Sequence, residues 1–232
     1  MNPKSILDQL RQEFSAAADP NRAIRQQKYM KSRLPYYGLP TELNRKLSMK
    51  IFKKHPPQDN TKYREIILYL FNNATHREEW YAGMALAQRF PKYIRFENLD
   101  LYLTLVRIAQ WWDIVDTAAA HLLGGVMRGR SDLGDTINNW ADDENMWVRR
   151  CALLTQLRYK EDTDFDLLKK IILKLCGENE FFIRKAIGWS LREYSYVNPN
   201  GVKAFIQNNQ QSLSTLSQKE GLKAIMRQRQ NG

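Results

Sequence analysis

The segment Gln110-Trp111-Trp112-Asp113-Ile114-Val115-Asp116 sets two indoles beside two carboxylates. On a helix, Trp112 and Asp116 are four residues apart and share one face, about one turn apart. Trp111 and Val115 form a second such pair, rotated by about 100°. One indole can therefore enter the core while the other accompanies a carboxylate toward a groove. A carboxylate so placed is a candidate for acid–base or electrostatic chemistry. The structural alternatives are core packing for Trp112 and a capping or surface role for Asp116. Asp113 falls in the first turn, where a carboxylate also suits the helix N-terminus.

Two further segments share this flavour. Asn145-Met146-Trp147-Val148-Arg149-Arg150 puts two arginines in the first turns of a helix. The helix dipole mildly disfavours cations there, and a polyanion or a carboxylate would offset that. In the stretch from Phe181 to Tyr194, Lys185 lies one turn before Trp189 and Arg192 one turn after it. An aromatic interleaved with cations suits a nucleic-acid strand, because bases or sugars stack while phosphates pair. The alternative is a core Trp flanked by surface charges.

Other chemistries lack their residues. The chain has no G-x-x-x-x-G-K-[ST], G-x-G-x-x-G, G-x-S-x-G or H-E-x-x-H. His55, His76 and His121 are scattered over separate segments, so neither a metal nor another cofactor is expected. Gly124, Gly125 and Gly129 read as a helix end and turn rather than a phosphate loop, with Arg128 and Arg130 solvated. The two cysteines, Cys151 and Cys176, exclude a disulfide framework and a Cys-based zinc site.

Charge points to a polyanion. The 232 residues carry a net +11, and residues 1–62 hold 13 Lys/Arg against 5 Asp/Glu, an excess of +8. Nucleic acid or an anionic surface fits such a concentration. With 43% hydrophobic residues, six Trp and eleven Tyr, the composition is globular. No apolar run reaches the roughly 18–20 residues that span a bilayer, and the N-terminal MNPKSILDQLRQEF has no apolar signal core. A soluble protein of the reducing cytoplasm, without a membrane partner, is expected.

The elements that must position these residues are helices. Apolar residues recur at three- and four-residue spacing in nearly every long segment, and alternating strand patterns are almost absent. The pattern predicts helices over about 3–18, 21–33, 40–54, 61–73, 76–89, 97–109, 112–127, 133–141, 144–159, 164–175, 180–196, 200–208 and 214–229. Pro and Gly mark the joints, among them Pro56-Pro57, Gly124-Gly125 and Pro199-Asn200-Gly201. Trp147-Val148-Arg149-Arg150-Cys151-Ala152 is echoed by Phe182-Ile183-Arg184-Lys185-Ala186-Ile187. That spacing suits a stack of antiparallel helix pairs of the HEAT or armadillo type, a superhelical all-α fold with a concave basic groove. No composition break marks a linker, so residues 1–232 read as one domain.

The chain resembles the AlkD-like DNA alkylation repair family, HEAT-like alkylpurine DNA glycosylases. The matching stretches are Lys28-Tyr29-Met30-Lys31, Trp111-Trp112-Asp113-x-Val115-Asp116, Trp147-x-x-Arg150 and FFIRKAIGWSLREY from Phe181 to Tyr194, followed by Asn198-Pro199. They run in register over most of the chain. The resemblance implies a monomeric enzyme that removes cationic N3- and N7-alkylpurines from duplex DNA. It places the catalytic carboxylate on Asp116, groove-facing tryptophans on Trp112 and Trp189, the key arginine on Arg150 and the early-helix tyrosine on Tyr29. Lys185 and Arg192 would join Arg150 on the phosphates. One departure is Gly38-Leu39-Pro40-Thr41-Glu42, where the family has Gly-x-x-Thr-Pro; the helix start there is expected to differ. The alternatives are a non-catalytic relative that binds unusual DNA structures, and a protein-binding helical scaffold. The scaffold leaves the +8 excess unexplained.

Overall fold

The computed structural model describes residues 2–230, and every regular element among them is helical. No helix of the described residues is long and apolar enough to cross a membrane. The chain divides into two compact units, one up to residue 108 and one from residue 109 onward.

In the first unit, α1 (Pro3–Ala16) and α2 (Pro20–Met30) each begin with a proline behind a capping side chain. Asn2 Oδ1 accepts from the Ser5 amide at 2.8 Å, and Asp19 Oδ1 from the Arg22 amide at 3.0 Å. Proline is harmless there because the first helical amide has no partner to lose, and each cap contributes about 1 kcal/mol. Helices α3 (Thr41–Lys54), α4 (Asn60–Asn72), α5 (Arg77–Arg89) and α6 (Leu99–Ala109) follow. Fully buried Tyr63 and Tyr102 join α4 to α6 through hydroxyls 2.9 Å apart.

The loop before α3 is held from below. The buried Glu78 carboxylate accepts from the amides of Tyr37, Gly38 and Leu39 at 3.1, 2.8 and 3.2 Å. Gly38 sits at φ +87°, and a Cβ there would meet the Asp19 carbonyl oxygen at 2.1 Å, so no other residue fits without moving α2. Helix α3 then starts at Thr41 behind Pro40, with no side-chain cap.

The second unit opens with one continuous helical run, α7 (Trp112–Thr117), a π-segment over Ala118–Leu123, and α8 (Gly124–Met127). The predicted helix over 112–127 matches it. Gly124, expected at a helix end, lies inside it instead, and glycine is needed there for packing: a Cβ would come 2.5 Å from the Thr155 carbonyl oxygen. The actual turn residue is Gly129 at φ +75°. Then come α9 (Leu133–Ala141), α10 (Met146–Leu154), α11 (Phe165–Leu175), α12 (Phe181–Tyr194), α13 (Pro199–Asn208) and α14 (Thr215–Gln230). Helix α10 packs on α7 and on α12, and α12 on α14; α9 packs on α10 and α11. Val148, Cys151, Ile183, Ala186, Ile187 and Leu191 are fully buried at these contacts, worth roughly 1.5–3 kcal/mol for each large aliphatic side chain. Helix α10 ends at Leu154, short of the predicted 159. The Gln156 side chain pairs with the backbone of Asp164, and the Tyr159 hydroxyl donates to the Gly124 carbonyl at 2.8 Å. These tertiary bonds take over from the next helical turn.

Candidate active site

The two echoed segments meet. Trp147 and Phe182, equivalent positions in the echo, have ring centroids 4.9 Å apart, and Trp111 closes the group at 5.9 and 5.4 Å from them. Gln110 lies in the left-handed region at φ 43°, and extended Trp111 leads into α7, whose first residue is Trp112.

Beside this aromatic group, Arg150 of α10 grips Asp116 of α7. Arg150 Nε donates to Asp116 Oδ1 at 2.7 Å and Nη2 donates to Oδ2 at 2.8 Å. Nη1 donates to the Phe182 carbonyl at the start of α12, and the guanidinium carbon lies 5.8 Å from the Phe182 ring centroid. One side chain thus ties three helices together. The pair is nearly dry: 3% of the Arg150 side chain and 13% of the Asp116 side chain reach solvent. A bidentate guanidinium fixes a carboxylate in angle as well as in distance. Burial pushes the Asp116 carboxyl above the ordinary aspartate value. The Arg150 hydrogen bonds pull it back in part, and the nearby Asp113 charge adds to the rise.

A carboxylate has about four lone-pair sites. Arg150 uses two, leaving capacity to accept from a water or to face a developing cation. A π-segment follows directly, an irregularity that recurs at functional sites.

Trp112 is half-buried, one turn before Asp116 on α7. Trp189 is half-buried on α12 and donates from Nε1 to Glu193 Oε1 at 3.2 Å. Tyr29 stands on α2 in the first unit with 77% of its surface exposed. The resemblance implies a phosphate-holding Arg150; the geometry gives it Asp116 as its partner. Lys185 and Arg192 reach the buried Glu220 of α14, at 2.9 and 3.0 Å. Sequence reasoning missed Glu220, Glu193 and the Phe182 carbonyl. The signal for a hidden carboxylate was the pair of arginines in the first turns of α10. Arg149 finds its own in Glu178, at 2.7 and 2.9 Å. Among the described residues, no three His, Cys, Asp or Glu side chains gather as a metal site would need.

Stacked helices carrying a clamped, desolvated carboxylate define an all-α protein with a carboxylate-centred site. The sequence profile of the family described as DNA alkylation repair enzyme matches residues 10–225, and the chain belongs to that family. Membership supports an enzymatic role in DNA alkylation repair, with DNA as partner. The fold is similar to the solved structure of a predicted DNA alkylation repair enzyme from Enterococcus faecalis, with 33% identity and a TM-score of 0.79, over 89% of this chain and 95% of that one. No curated protein matches the sequence.

Proposed function

We propose that the protein is a monofunctional DNA glycosylase. It hydrolyses the N-glycosidic bond of cationic N3- and N7-alkylpurines in duplex DNA, such as 3-methyladenine and 7-methylguanine, and leaves an abasic site. The observation that carries this reading is the Asp116–Arg150 clamp one helical turn from Trp112. The family match runs through both units, which supports reading them as one functional domain; we propose that it works as a monomer.

The chemistry follows from charge. An N3- or N7-alkylated purine is already positive, so it departs with the bonding electron pair without protonation. One carboxylate therefore suffices where most glycosidases need two. The deoxyribose becomes positive at C1′ as the bond breaks. Asp116 faces that charge and orients the water that attacks C1′, and the water's proton passes to the carboxylate or to solvent. A fixed charge aimed at developing charge contributes about 3–4 kcal/mol. Trp112 and Trp189 offer indole faces to the sugar and the cation. Tyr29 and the basic first unit hold the duplex. Arg150 acts here by fixing Asp116, in place of a phosphate.

The test is incubation with duplex DNA carrying one N7-methylguanine, assayed for abasic sites. Asp116→Asn is expected to lower single-turnover excision by about 10²-fold, near 2.7 kcal/mol, while DNA affinity holds or tightens. Salt-dependent binding of duplex by the wild type with no abasic product would instead support the non-catalytic DNA-binding reading.

A further inference from the structure

Three cations converge on one buried carboxylate at the α12–α14 contact. Glu220 Oε1 lies 2.9 Å from Lys185 Nζ and also receives Lys223 Nζ, while Oε2 lies 3.0 Å from Arg192 Nη1. The Glu220 side chain is 5% exposed, whereas those of Lys185, Arg192 and Lys223 are 38%, 26% and 46% exposed. The carboxylate is the floor and the cations are the rim. Arg192 Nε also lies 3.8 Å from Glu193, which receives the Trp189 indole N–H. Counting both carboxylates, the five groups keep a net +1.

The sequence makes this contact possible at one residue. Gly188 lies between Lys185 and Arg192 in the middle of α12, and a Cβ there would come 2.4 Å from Glu220 Cβ and 2.9 Å from the Ser217 carbonyl oxygen. The Ser217 hydroxyl donates to the Arg184 carbonyl at 2.8 Å and fixes the same approach. A mid-helix glycine costs helix stability, and here it brings a carboxylate beneath two cations that flank Trp189.

Each ammonium has three N–H donors and a guanidinium has five. Glu220 takes one from each cation, so most donors remain for a further acceptor. We infer that Lys223 of α14, spaced by Glu220, joins Lys185 and Arg192, which the family resemblance already turns to phosphate, and completes a preorganised subsite for one phosphodiester of the strand that passes Trp189. The inference rests on the DNA-repair reading and adds α14 to the DNA surface. A phosphate oxygen accepts from several cations at once, and here its charge would turn the local balance from +1 to neutral.

The experiment measures duplex affinity by fluorescence anisotropy, with neutral methylphosphonates placed at one backbone position at a time around a 7-methylguanine. Wild type is compared with Lys223→Met, whose exposed position leaves the fold intact, as circular dichroism checks. Lys223→Met is expected to weaken binding about three- to tenfold and to reduce the slope of log K against log salt by about 0.9. At one phosphate only, methylphosphonate substitution is expected to cost wild type much more than Lys223→Met. Equal losses at every position, or an unchanged affinity, overturn the subsite while leaving the glycosylase reading intact. Competition by inorganic phosphate at constant ionic strength, abolished in Lys223→Met without any position-specific coupling, assigns a free-anion site and overturns the strand contact. Absence of salt-dependent duplex binding by wild type overturns both readings.

Discussion

Two carboxylates paired with arginine sit in the two units, and they are built differently. Glu79 in the first unit has a side chain with no exposure. It accepts from Arg11 Nε and Nη2 at 3.0 and 3.2 Å, the Tyr37 hydroxyl at 2.9 Å, and the amide and hydroxyl of Thr75 at 2.8 and 3.3 Å. Those five donors saturate its lone pairs. Burial alone pushes Glu79 up, but Arg11, the Thr75 amide and the Tyr37 hydroxyl together hold it below the usual glutamate value. Asp116 has Arg150 and a rim of solvent, and its carboxyl lies above the usual aspartate value. A saturated carboxylate is finished as a structural part. An under-satisfied, raised one is equipped for chemistry.

The largest effect expected from this contrast is on stability. Glu79→Ala leaves Arg11 with the Asn73 carbonyl alone and strips the buried Tyr37 hydroxyl and the Thr75 amide of an acceptor, which costs about 2–5 kcal/mol. Chemical denaturation measures it, and the excision rate per folded molecule stays at the wild-type value. Because the folded pKa of Glu79 is depressed, its contribution is present above the unfolded value and disappears as pH falls through the folded one. Asp116 has the opposite sign: its raised pKa costs stability at neutral pH, and that cost is relieved on acidification. Loss of activity in folded Glu79→Ala would break the division between the two sites.

Next in size is Arg150→Lys. An ammonium is a point charge and cannot make two parallel bonds to Asp116 and a third to the Phe182 carbonyl. Excision at saturating enzyme should fall at least about tenfold. The acid limb of the pH–rate profile should move to higher pH, because the pull of the guanidinium on the Asp116 carboxyl is weakened. A preserved rate with weakened DNA affinity would instead return Arg150 to the phosphate role that the sequence resemblance implies.

The helices were legible because their apolar spacing survives without tertiary knowledge, and the 112–127 run matches down to its ends. The Trp147/Phe182 echo was legible too, since equivalent positions in stacked helices pack on one another. What stayed hidden were contacts between residues about 34 apart, such as Asp116 with Arg150 and Lys185 with Glu220. Spacing along one helix says which residues share a face, but it does not say which side chain of the next helix they meet. The end of α10 was hidden for a similar reason, since the bonds that replace its last turn come from Asp164 and Gly124.

The smallest effect is expected at Asp113, and it sharpens the comparison most. Asp113 lies three residues before Asp116, in the first turn of α7, and its Oδ1 accepts from the Ile114 amide at 2.9 Å. Its charge is one cause of the raised Asp116 carboxyl. Asp113→Asn keeps an acceptor at the helix start, so the loss of helix-dipole interaction should be about 0.3–1 kcal/mol or less. On the neutral plateau of the pH–rate profile, excision should change less than about twofold. Under acid the two should separate. Without the Asp113 charge, ionised Asp116 is easier to form, its pKa falls, and the variant keeps excising at pH values where wild type has begun to fail. Single-turnover rates across the acid limb decide it. A limb that stays in place, or moves toward higher pH, would mean that the titrating group is not Asp116, and the contrast with Glu79 would lose its chemical half.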